Sequence, residues 1–364
     1  MYNPTKLPPL NIDFETKAIL KKLSEARAAL AELKGFVNVI PNQGILINTL
    51  TLQEAKDSSA VENIITTHDE IFKAELDKNL IHSVATKEVQ DYNLALHEGA
   101  KRVVKLDGLI KNECILTVQE YLEGNKAGYR TLKGTVLKNE TTGEIVYEPP
   151  QDSKEIIILM GDLLRYINED SIQDINPLIK MAIIHFQFES IHPFYDGNGR
   201  TGRILNILYL MSKGYLDIPV LYLSRFIIQN KNDYYRYLQD VRDSDNWEQW
   251  ILFMLEGVRL TALDTIGVIG SIRDLMKEYK AFLRKFPFYS QDLLNNLFKH
   301  PYTKIEFVKK DLGVTRQTAS KYLKELSGHP DGLIKHIQIG KFSYFVNVKL
   351  FDLLAHDRKL MLKK

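Results

Sequence analysis

The sequence predicts a mainly α-helical protein that has one β-hairpin in its body and a small winged helix-turn-helix domain at its C-terminal end. Apolar residues recur at helical spacing through most of the first 270 residues. Within that stretch, residues 129–150 read as two short strands around a turn and end in a Pro-Pro pair. Residues 290–350 change to three short helical segments and then two strand-like ones, an order typical of winged helices.

Composition indicates an ordinary globular chain. The 364 residues are 45% hydrophobic and 26% charged, which suggests two or three domains that can bury a core. Cys114 is the single cysteine, so an internal disulfide framework and a cysteine-based zinc site are excluded and a cytoplasmic location is expected. The sequence begins without an apolar stretch of signal-peptide length and contains none of membrane-spanning length, so we expect no membrane contact.

The helical pattern can be followed along the body of the chain. One helix is predicted for residues 14–35, one or two for 52–77, and a long one for 84–123; after the hairpin, further helices are predicted for 152–168, 176–191, 199–213 and 231–261. In the hairpin, Val136 and Leu137 precede an Asn-Glu-Thr-Thr-Gly turn, and Ile145 to Tyr147 follow it. We therefore divide the chain into an N-terminal helical region (residues 1–110), a core (111–270) and the winged helix-turn-helix domain (285–364).

The C-terminal domain is basic. Residues 271–364 carry 19 Lys and Arg against 9 Asp and Glu, a net charge of +10, whereas the whole chain has +2. The predicted third helix, opened by Thr315 as its N-cap, offers Arg316, Gln317, Lys321 and Lys324 to a groove, and Lys341 lies in the predicted wing at Gly340-Lys341. These side chains suit contact with DNA. Winged helices also dock proteins, so both kinds of partner stay open.

Residues 192–203 read His-Pro-Phe-Tyr-Asp-Gly-Asn-Gly-Arg-Thr-Gly-Arg and lie between two apolar helical segments. Gly197 and Gly199 allow backbone N–H groups to turn toward a ligand. A helix that begins near Gly199 favours an anion at its N-terminus, and Arg200 and Arg203 add positive charge suited to phosphate. This segment is therefore a candidate phosphate site.

Two further residues of the segment supply the chemistry. Asp196 cannot bind phosphate itself, but its carboxylate can hold a Mg²⁺ ion that phosphates share. His192 titrates near neutral pH and can take a proton from an incoming hydroxyl group. An anion site, a metal and a base together predict nucleotidyl or phosphoryl transfer.

The segment resembles the signature of the Fic family, His-Pro-Phe-x-Asp/Glu-Gly-Asn-Gly-Arg-x-x-Arg, and matches each specified position. The resemblance extends over about residues 1–265. It implies a helical bundle that uses ATP and Mg²⁺ to transfer AMP to Ser, Thr or Tyr hydroxyls of proteins, including the enzyme itself. It further implies that His192 deprotonates the target hydroxyl and that Asp196 binds Mg²⁺.

The resemblance also assigns the nucleotide contacts. Gly197, Asn198 and Gly199 would surround the inner phosphates, Arg200 and Arg203 would hold the outer ones, and Thr201 and Gly202 complete the nucleotide-binding segment. The hairpin at residues 136–147 would be the flap that aligns the target by strand addition. Tyr234 and Tyr235 fall where relatives place aromatic contacts to adenine. The phosphorylating branch of the superfamily has lysine at the position of Gly199, so glycine favours AMP transfer.

Upstream, Ser58, Glu62 and Asn63 resemble the family's inhibitory motif, Ser/Thr-x-x-x-Glu-Gly/Asn. Four residues separate Ser58 from Glu62, so both lie on one helix face. The resemblance implies that Glu62 pairs with Arg203 and prevents productive ATP binding. Some relatives use this glutamate to remove AMP, and many form dimers; both points stay open here.

Two other functions compete with AMP transfer. One is a nucleotide-sensing, DNA-binding regulator, and the other is a Fic-type phosphotransferase. His192 favours an enzyme, because a sensor needs no base. We interpret His185, seven residues earlier, as a structural histidine rather than a metal ligand, since two helical turns are too long a separation for one small ion. Trp247, Trp250 and Cys114 are predicted to be core residues.

Overall fold

The structure is a computed structural model that describes residues 4, 7–9, 12–40, 42–76, 81, 83–138, 142–339, 342–356 and 359–360. The N-terminal part consists of five helices: α1 (Lys17–Phe36), α2 (Gln43–Val61), α3 (His68–Leu76), α4 (Val84–Lys105) and α5 (Asn112–Glu123). Strands β1 (Leu137–Lys138) and β2 (Ile145–Tyr147) follow and pair antiparallel, with Leu137 opposite Tyr147. The predicted hairpin is therefore present, although residues 139–141 of its turn lie outside the described residues.

Six helices complete the body: α6 (Ser153–Asn168), α7 (Pro177–Ile191), α8 (Asn198–Ser212), α9 (Leu223–Gln229), α10 (Lys231–Ser244) and α11 (Trp247–Leu283). The C-terminal part contains α12 (Gln291–Lys299), β3 (Tyr302–Thr303), α13 (Ile305–Leu312), α14 (Arg316–Gly328), β4 (Ile334–Ile339), β5 (Phe342–Asn347) and α15 (Val348–Ala355). Its antiparallel sheet has the order β3-β5-β4. Three helices and two long strands lie in the order that the sequence predicts for this region, and their assignment as a winged helix-turn-helix stays a prediction. The Thr315 side chain caps α14, but Gly340 and Lys341 lie outside the described residues.

Two predicted helices are each divided in the structure. The long pattern at residues 84–123 forms α4 and α5, because Asp107 and Gly108 adopt positive φ angles of 51° and 87° between them. The pattern at residues 231–261 forms α10 and α11, and Asp245, with φ 52°, ends α10 in the left-handed conformation. A periodic apolar pattern continued across both breaks, which is why the sequence alone did not reveal them.

The boundaries at the N-terminal side also differ. The helical prediction at residues 52–77 corresponds, over its described part, to the end of α2 and to α3. Helix α2 begins nine residues earlier than predicted, where the Asn42 side chain accepts a hydrogen bond from the Gly44 N–H. At the other end of the body, α11 passes through residue 270 and ends only at Leu283. This helix therefore joins the body to the C-terminal domain without interruption.

The core centres on α7, where every residue from Leu178 to Ile191 is buried. Such all-round burial is expected of a helix that is apolar on all faces. Helices α6, α8 and α11 pack against it, and the indole N–H of Trp250 donates to the Ala182 carbonyl at 2.9 Å. Trp247 and Cys114 are buried as well, as predicted. Among the described residues, each helix is too short or too polar to cross a lipid bilayer.

Candidate active site

The turn between α7 and α8 carries the signature segment, and its shape is fixed from within. His192 ends α7 in the left-handed conformation, with φ 48° and ψ 61°. The Asn198 side chain accepts a hydrogen bond from the Phe194 N–H at 2.8 Å and donates to the Phe194 carbonyl at 2.9 Å. Because this side chain is engaged inside the turn, only the backbone of Asn198 is available to an anion.

The N-terminus of α8 is open because Gly197 precedes the helix, with φ 74° and no capping side chain. The first N–H groups of such a helix lack internal partners and attract an anion. A Cβ atom on Gly199 would lie 2.2 Å from Oε1 of Glu62, and one on Gly197 would lie 2.5 Å from Oε1 of Glu123. The positive φ of Gly197 favours glycine there, and a side chain at Gly199 would displace the Glu62 carboxylate from its present position.

Two adjoining cavities meet at His192. The larger, about 600 Å³, extends beneath the flap toward α10, and its wall includes Glu189, Arg203, Tyr234, Tyr235 and Arg242. The smaller, about 430 Å³, lies over the start of α8, and its wall includes Glu88, Asp196, Gly197, Asn198 and Arg200. Leu137, Glu62, His192 and Gly199 line both. The imidazole thus faces the space in which both a nucleotide and a target side chain would fit.

Arg203 is buried, and its Nε and Nη2 are hydrogen-bonded to the end of α2. Its Nε donates to Oγ of Ser58 at 2.8 Å, and its Nη2 donates to the Ser58 carbonyl at 3.0 Å and to Oε1 of Glu62 at 2.8 Å. The contact between Glu62 and Arg203 is the one that the resemblance implies, while its inhibitory effect stays a prediction. Asn63 has φ 61°, which explains why glycine or asparagine suits this position after the helix.

The electrostatics of Glu62 favour its charged form. Burial alone would raise the pKa of this carboxyl, but the charge and the hydrogen bond of Arg203 outweigh burial and lower the pKa below its ordinary value. Arg200 and Lys231 act in the same direction. A carboxylate held in this way occupies donors that a phosphate would otherwise use.

Arg200 is also engaged, which the sequence did not indicate. Its Nη1 donates to Oε2 of Glu88 at 2.8 Å and its Nη2 to Oε1 of Glu123 at 3.0 Å, and Arg200 is buried. For Arg200 to contact the outer phosphates as predicted, phosphate oxygens must replace these carboxylates or share the guanidinium with them. Thr201 and Gly202 lie in the first turn of α8 behind the anion site, and Thr201 donates its N–H to the Gly197 carbonyl at 2.9 Å.

His192 is poised as a neutral base. Burial, followed by the positive charges of Arg130 and Arg242, lowers the pKa of the imidazole to about 4. One turn earlier on α7, the buried Glu189 faces the same cavity, and burial together with the charge of Glu62 raises the pKa of its carboxyl to about 7. Glu189 lies three residues before His192, a spacing that could have identified it from the sequence.

The predicted adenine contacts differ from one another. Tyr234 is buried, and its hydroxyl is hydrogen-bonded to Nε2 of His185 at 2.8 Å. Burial lowers the pKa of His185 to about 3, so this histidine is a neutral structural residue, as predicted. Tyr235 is 44% exposed and lines the larger cavity. Of the two rings, Tyr235 is the more accessible to a base, and both assignments stay predictions.

Asp196 is the residue that could hold Mg²⁺. Its side chain is 80% exposed at the edge of the smaller cavity, and Oδ1 accepts a hydrogen bond from the Gly197 N–H at 2.6 Å. In the described part of the chain, three or more potential ligand residues do not gather into a metal-binding group. One carboxylate fits Mg²⁺ that takes its other ligands from phosphates and water.

Comparison with known proteins supplies the family. The model described as "Fic/DOC family N-terminal" matches residues 20–101, and the one described as "Fic/DOC family" matches residues 110–210. A third, "Protein adenylyltransferase SoFic-like, C-terminal domain", matches residues 275–350. The three matches follow one another along the chain.

Curated relatives are similar at the sequence level. The chain is 26% identical over 230 residues to "Protein adenylyltransferase Fic" of Drosophila erecta, which covers 62% of this chain and 41% of that protein. The protein of the same name from Drosophila grimshawi is 25% identical over 235 residues, with 64% and 44% covered. The chain thus spans about two fifths of the length of these relatives.

Solved structures share the fold. A Fic family protein from Desulfovibrio desulfuricans G20 aligns with a TM-score of 0.58 and 21% identity, covering 93% of this chain and 98% of that one. Fic-1 from C. elegans aligns with a TM-score of 0.52 and 19% identity, covering 69% and 73%.

Proposed function

Because the chain belongs to the Fic/DOC family, we propose that it is an enzyme that transfers AMP from ATP to a hydroxyl side chain of a protein. The observation that supports this most strongly is the position of His192, a neutral imidazole between two cavities and beside the open N-terminus of α8. Curated relatives that carry the name protein adenylyltransferase support the same reaction.

Each group of residues has a separate role in the proposed reaction. The N–H groups at the start of α8 bind the phosphates of ATP, with Gly197 and Gly199 permitting close approach. Asp196 would hold Mg²⁺, which would neutralise phosphate charge. His192 takes the proton of the target hydroxyl as its oxygen attacks the α-phosphorus, and the bond to the departing pyrophosphate breaks. The products are an AMP ester on the target protein and pyrophosphate.

The target segment reaches His192 along the flap. Leu137 of strand β1 lines both cavities, so an extended segment added to the edge of this strand would pass close to the imidazole. Ser, Thr and Tyr side chains all carry the required hydroxyl, and exposed segments of the protein itself qualify as well.

We propose that Glu62 inhibits this reaction. In the present conformation its carboxylate occupies Arg203, which is therefore withheld from the γ-phosphate of ATP. The carboxylate also repels a phosphate near the same donors. Release of Glu62 would leave Arg203 free to hold the triphosphate in the productive direction.

The two competing functions have weaker support. Transfer of a phosphate group is disfavoured because the phosphorylating branch has lysine at the position of Gly199. A lysine side chain there would have to displace Glu62. A DNA-binding regulator would use α14, where Arg316, Gln317, Lys321 and Lys324 are exposed. Exposure and positive charge also suit an acidic protein partner, and neither partner explains the neutral base.

Mass spectrometry after incubation with ATP and Mg²⁺ tests the proposal. Wild type, Glu62→Gly and His192→Asn would be compared on themselves and on a mixture of candidate proteins. A mass gain of one AMP that rises in Glu62→Gly and vanishes in His192→Asn is the expected result. A gain of one phosphate would establish the phosphotransferase instead, and a salt-sensitive DNA complex without any mass gain would favour the regulator.

A further inference from the structure

Arg130 is a fully buried arginine that belongs to none of the predicted site residues. It lies after α5 and before β1, at the beginning of the segment that contains the flap, and its side chain has 0% exposure. Its backbone N–H donates to the Pro193 carbonyl at 2.9 Å. Burial of a guanidinium is costly unless its donors are satisfied, so the partners of Arg130 indicate what it is for.

The partners are backbone carbonyls of the catalytic turn and of the far end of the flap segment. Nε donates to the His192 carbonyl at 2.8 Å, and Nη2 donates to the Pro150 carbonyl and, at 3.5 Å, to that of Ile191. Ile191 and His192 end α7, where carbonyls lack partners within the helix and carry partial negative charge. One side chain therefore joins residue 130, residue 150 and the catalytic histidine.

Neighbouring contacts tie the same two segments together. The Tyr195 hydroxyl accepts hydrogen bonds from the N–H groups of Thr131, at 2.8 Å, and Leu132, at 3.2 Å. The Tyr147 hydroxyl donates to the Ser190 carbonyl at 2.8 Å. Tyr195 occupies the variable position of the signature, so the signature itself assigns it no role. Both ends of the flap segment are thus fixed to residues 190–195.

This attachment matters because His192 has an unfavourable backbone conformation. A histidine with φ 48° keeps this conformation only when surrounding contacts hold it there. The hydrogen bond from Arg130 to the His192 carbonyl is such a contact. It orients the same residue whose side chain must meet the target hydroxyl.

We propose that Arg130 is a positioning residue for AMP transfer, which holds His192 and both ends of the flap in one frame so that a target strand on the flap places its hydroxyl at the imidazole. The inference rests on the proposed function. The positive charge of Arg130, whose Nε lies 2.8 Å from the His192 carbonyl, also favours the neutral form of the imidazole. Arg130 is not among the residues that line the two cavities, so it acts through the main chain.

The test compares Arg130→Met, Arg130→Lys and the control Lys133→Met in the Glu62→Gly background. Lys133 is an exposed cation in the same loop, so its removal changes the charge of the segment without changing these contacts. Incorporation of AMP from α-labelled ATP gives kcat and the KM for ATP as a function of pH. Amide hydrogen exchange of residues 131–138 and 192–197 measures the attachment independently of activity.

Arg130→Met should lower kcat by about 10- to 100-fold and change the KM for ATP little, because the phosphate site is untouched and only the geometry of attack is lost. The acidic limb of its pH profile should move to higher pH, and the amides of residues 131–138 and 192–197 should exchange faster. Arg130→Lys should lower kcat without moving the acidic limb, since it keeps the charge. Lys133→Met should match the parent in all three measurements.

Unchanged kcat in folded Arg130→Met, or a loss that Lys133→Met reproduces, would overturn the inference. If Arg130→Met does not fold, Arg130→Lys and Tyr195→Phe decide, since Tyr195 is 47% exposed and its removal leaves the core intact. Tyr195→Phe should then lower kcat with an unshifted pH profile, and parental kcat in both variants refutes the role. If the Glu62→Gly parent incorporates no AMP, the proposed function is refuted. If hydrogen exchange is unchanged in Arg130→Met, or in both Arg130→Lys and Tyr195→Phe where these replace it, this inference alone is refuted.

Discussion

Replacement of Glu62 by glycine should accelerate AMP transfer, and the structure sets the size of the effect. The carboxylate forms one charge-assisted hydrogen bond with Arg203, at 2.8 Å, and its side chain is 34% exposed. Such bonds contribute about 1.5–3 kcal/mol, and partial exposure places this one near the lower end. If ATP must displace it to bind productively, its removal should raise the rate about 10- to 30-fold.

Glycine is a suitable replacement because Glu62 is the C-cap of α2, where loss of a side chain is tolerated. Glu169→Gly is the matched control: this exposed glutamate is the C-cap of α6 and lies outside both cavities. The assay is incorporation of AMP from α-labelled ATP at an ATP concentration below saturation. Glu62→Gln, which keeps the shape but removes the charge, should give an intermediate rate.

The reasoning would be refuted by a Glu62→Gly protein that is folded, binds ATP and transfers AMP no faster than wild type. It would then follow that Arg203 is not limiting, or that the carboxylates around Arg200 control entry of the nucleotide. An acceleration by Glu169→Gly of similar size would point instead to general loosening of the helices.

Three further predictions concern His192, the pH dependence of the reaction and the buried pair of Asp57 and Arg225. His192→Asn should lower AMP transfer by roughly 10²- to 10⁴-fold while ATP binding measured by calorimetry persists, because asparagine tolerates the left-handed backbone but is no base; a loss of binding would contradict this. In Glu62→Gly, the initial rate should stay level from about pH 8 to pH 5.5, because His192 is active as a base above its pKa of about 4. A decline in rate centred near the ordinary histidine pKa of about 6.5 would count against a buried neutral His192. Asp57→Asn should lower the free energy of unfolding by about 3–5 kcal/mol in denaturant titrations, because it removes the carboxylate that lies 2.9 Å from the buried guanidinium of Arg225. A change below about 1 kcal/mol would be inconsistent with a stabilising pair.

The sequence identified those parts of the site that follow from local chain geometry. The segment from His192 to Arg203 is contiguous, so its glycines, base and arginines could be assigned together. Winged-helix elements were recognisable because turn residues and changes of periodicity mark them. The helix breaks at Asp107 and Asp245 were missed because the apolar pattern continues across both, even though Gly108 beside Asp107 is a residue type that favours a turn.

Residues that act across the fold could not be found in this way. Glu88 and Glu123 reach Arg200 from two different helices, and 112 and 77 residues separate them from it in sequence. Arg130 is one arginine among many in the sequence, and only its burial against the end of α7 distinguishes it. Such contacts depend on how helices pack, which neither spacing nor composition encodes for a single chain.

The length of α11 has a geometric consequence for the whole protein. Its 37 residues span about 55 Å at 1.5 Å per residue, and the helix starts at Trp247 in the core and ends at Leu283, before the C-terminal domain. A macromolecule bound to that domain would therefore be presented at a set distance and angle from the reacting imidazole. Adding one residue to the helix would turn the bound molecule by about 100° about the helix axis, so the register of this rod selects which side of a partner meets the enzyme.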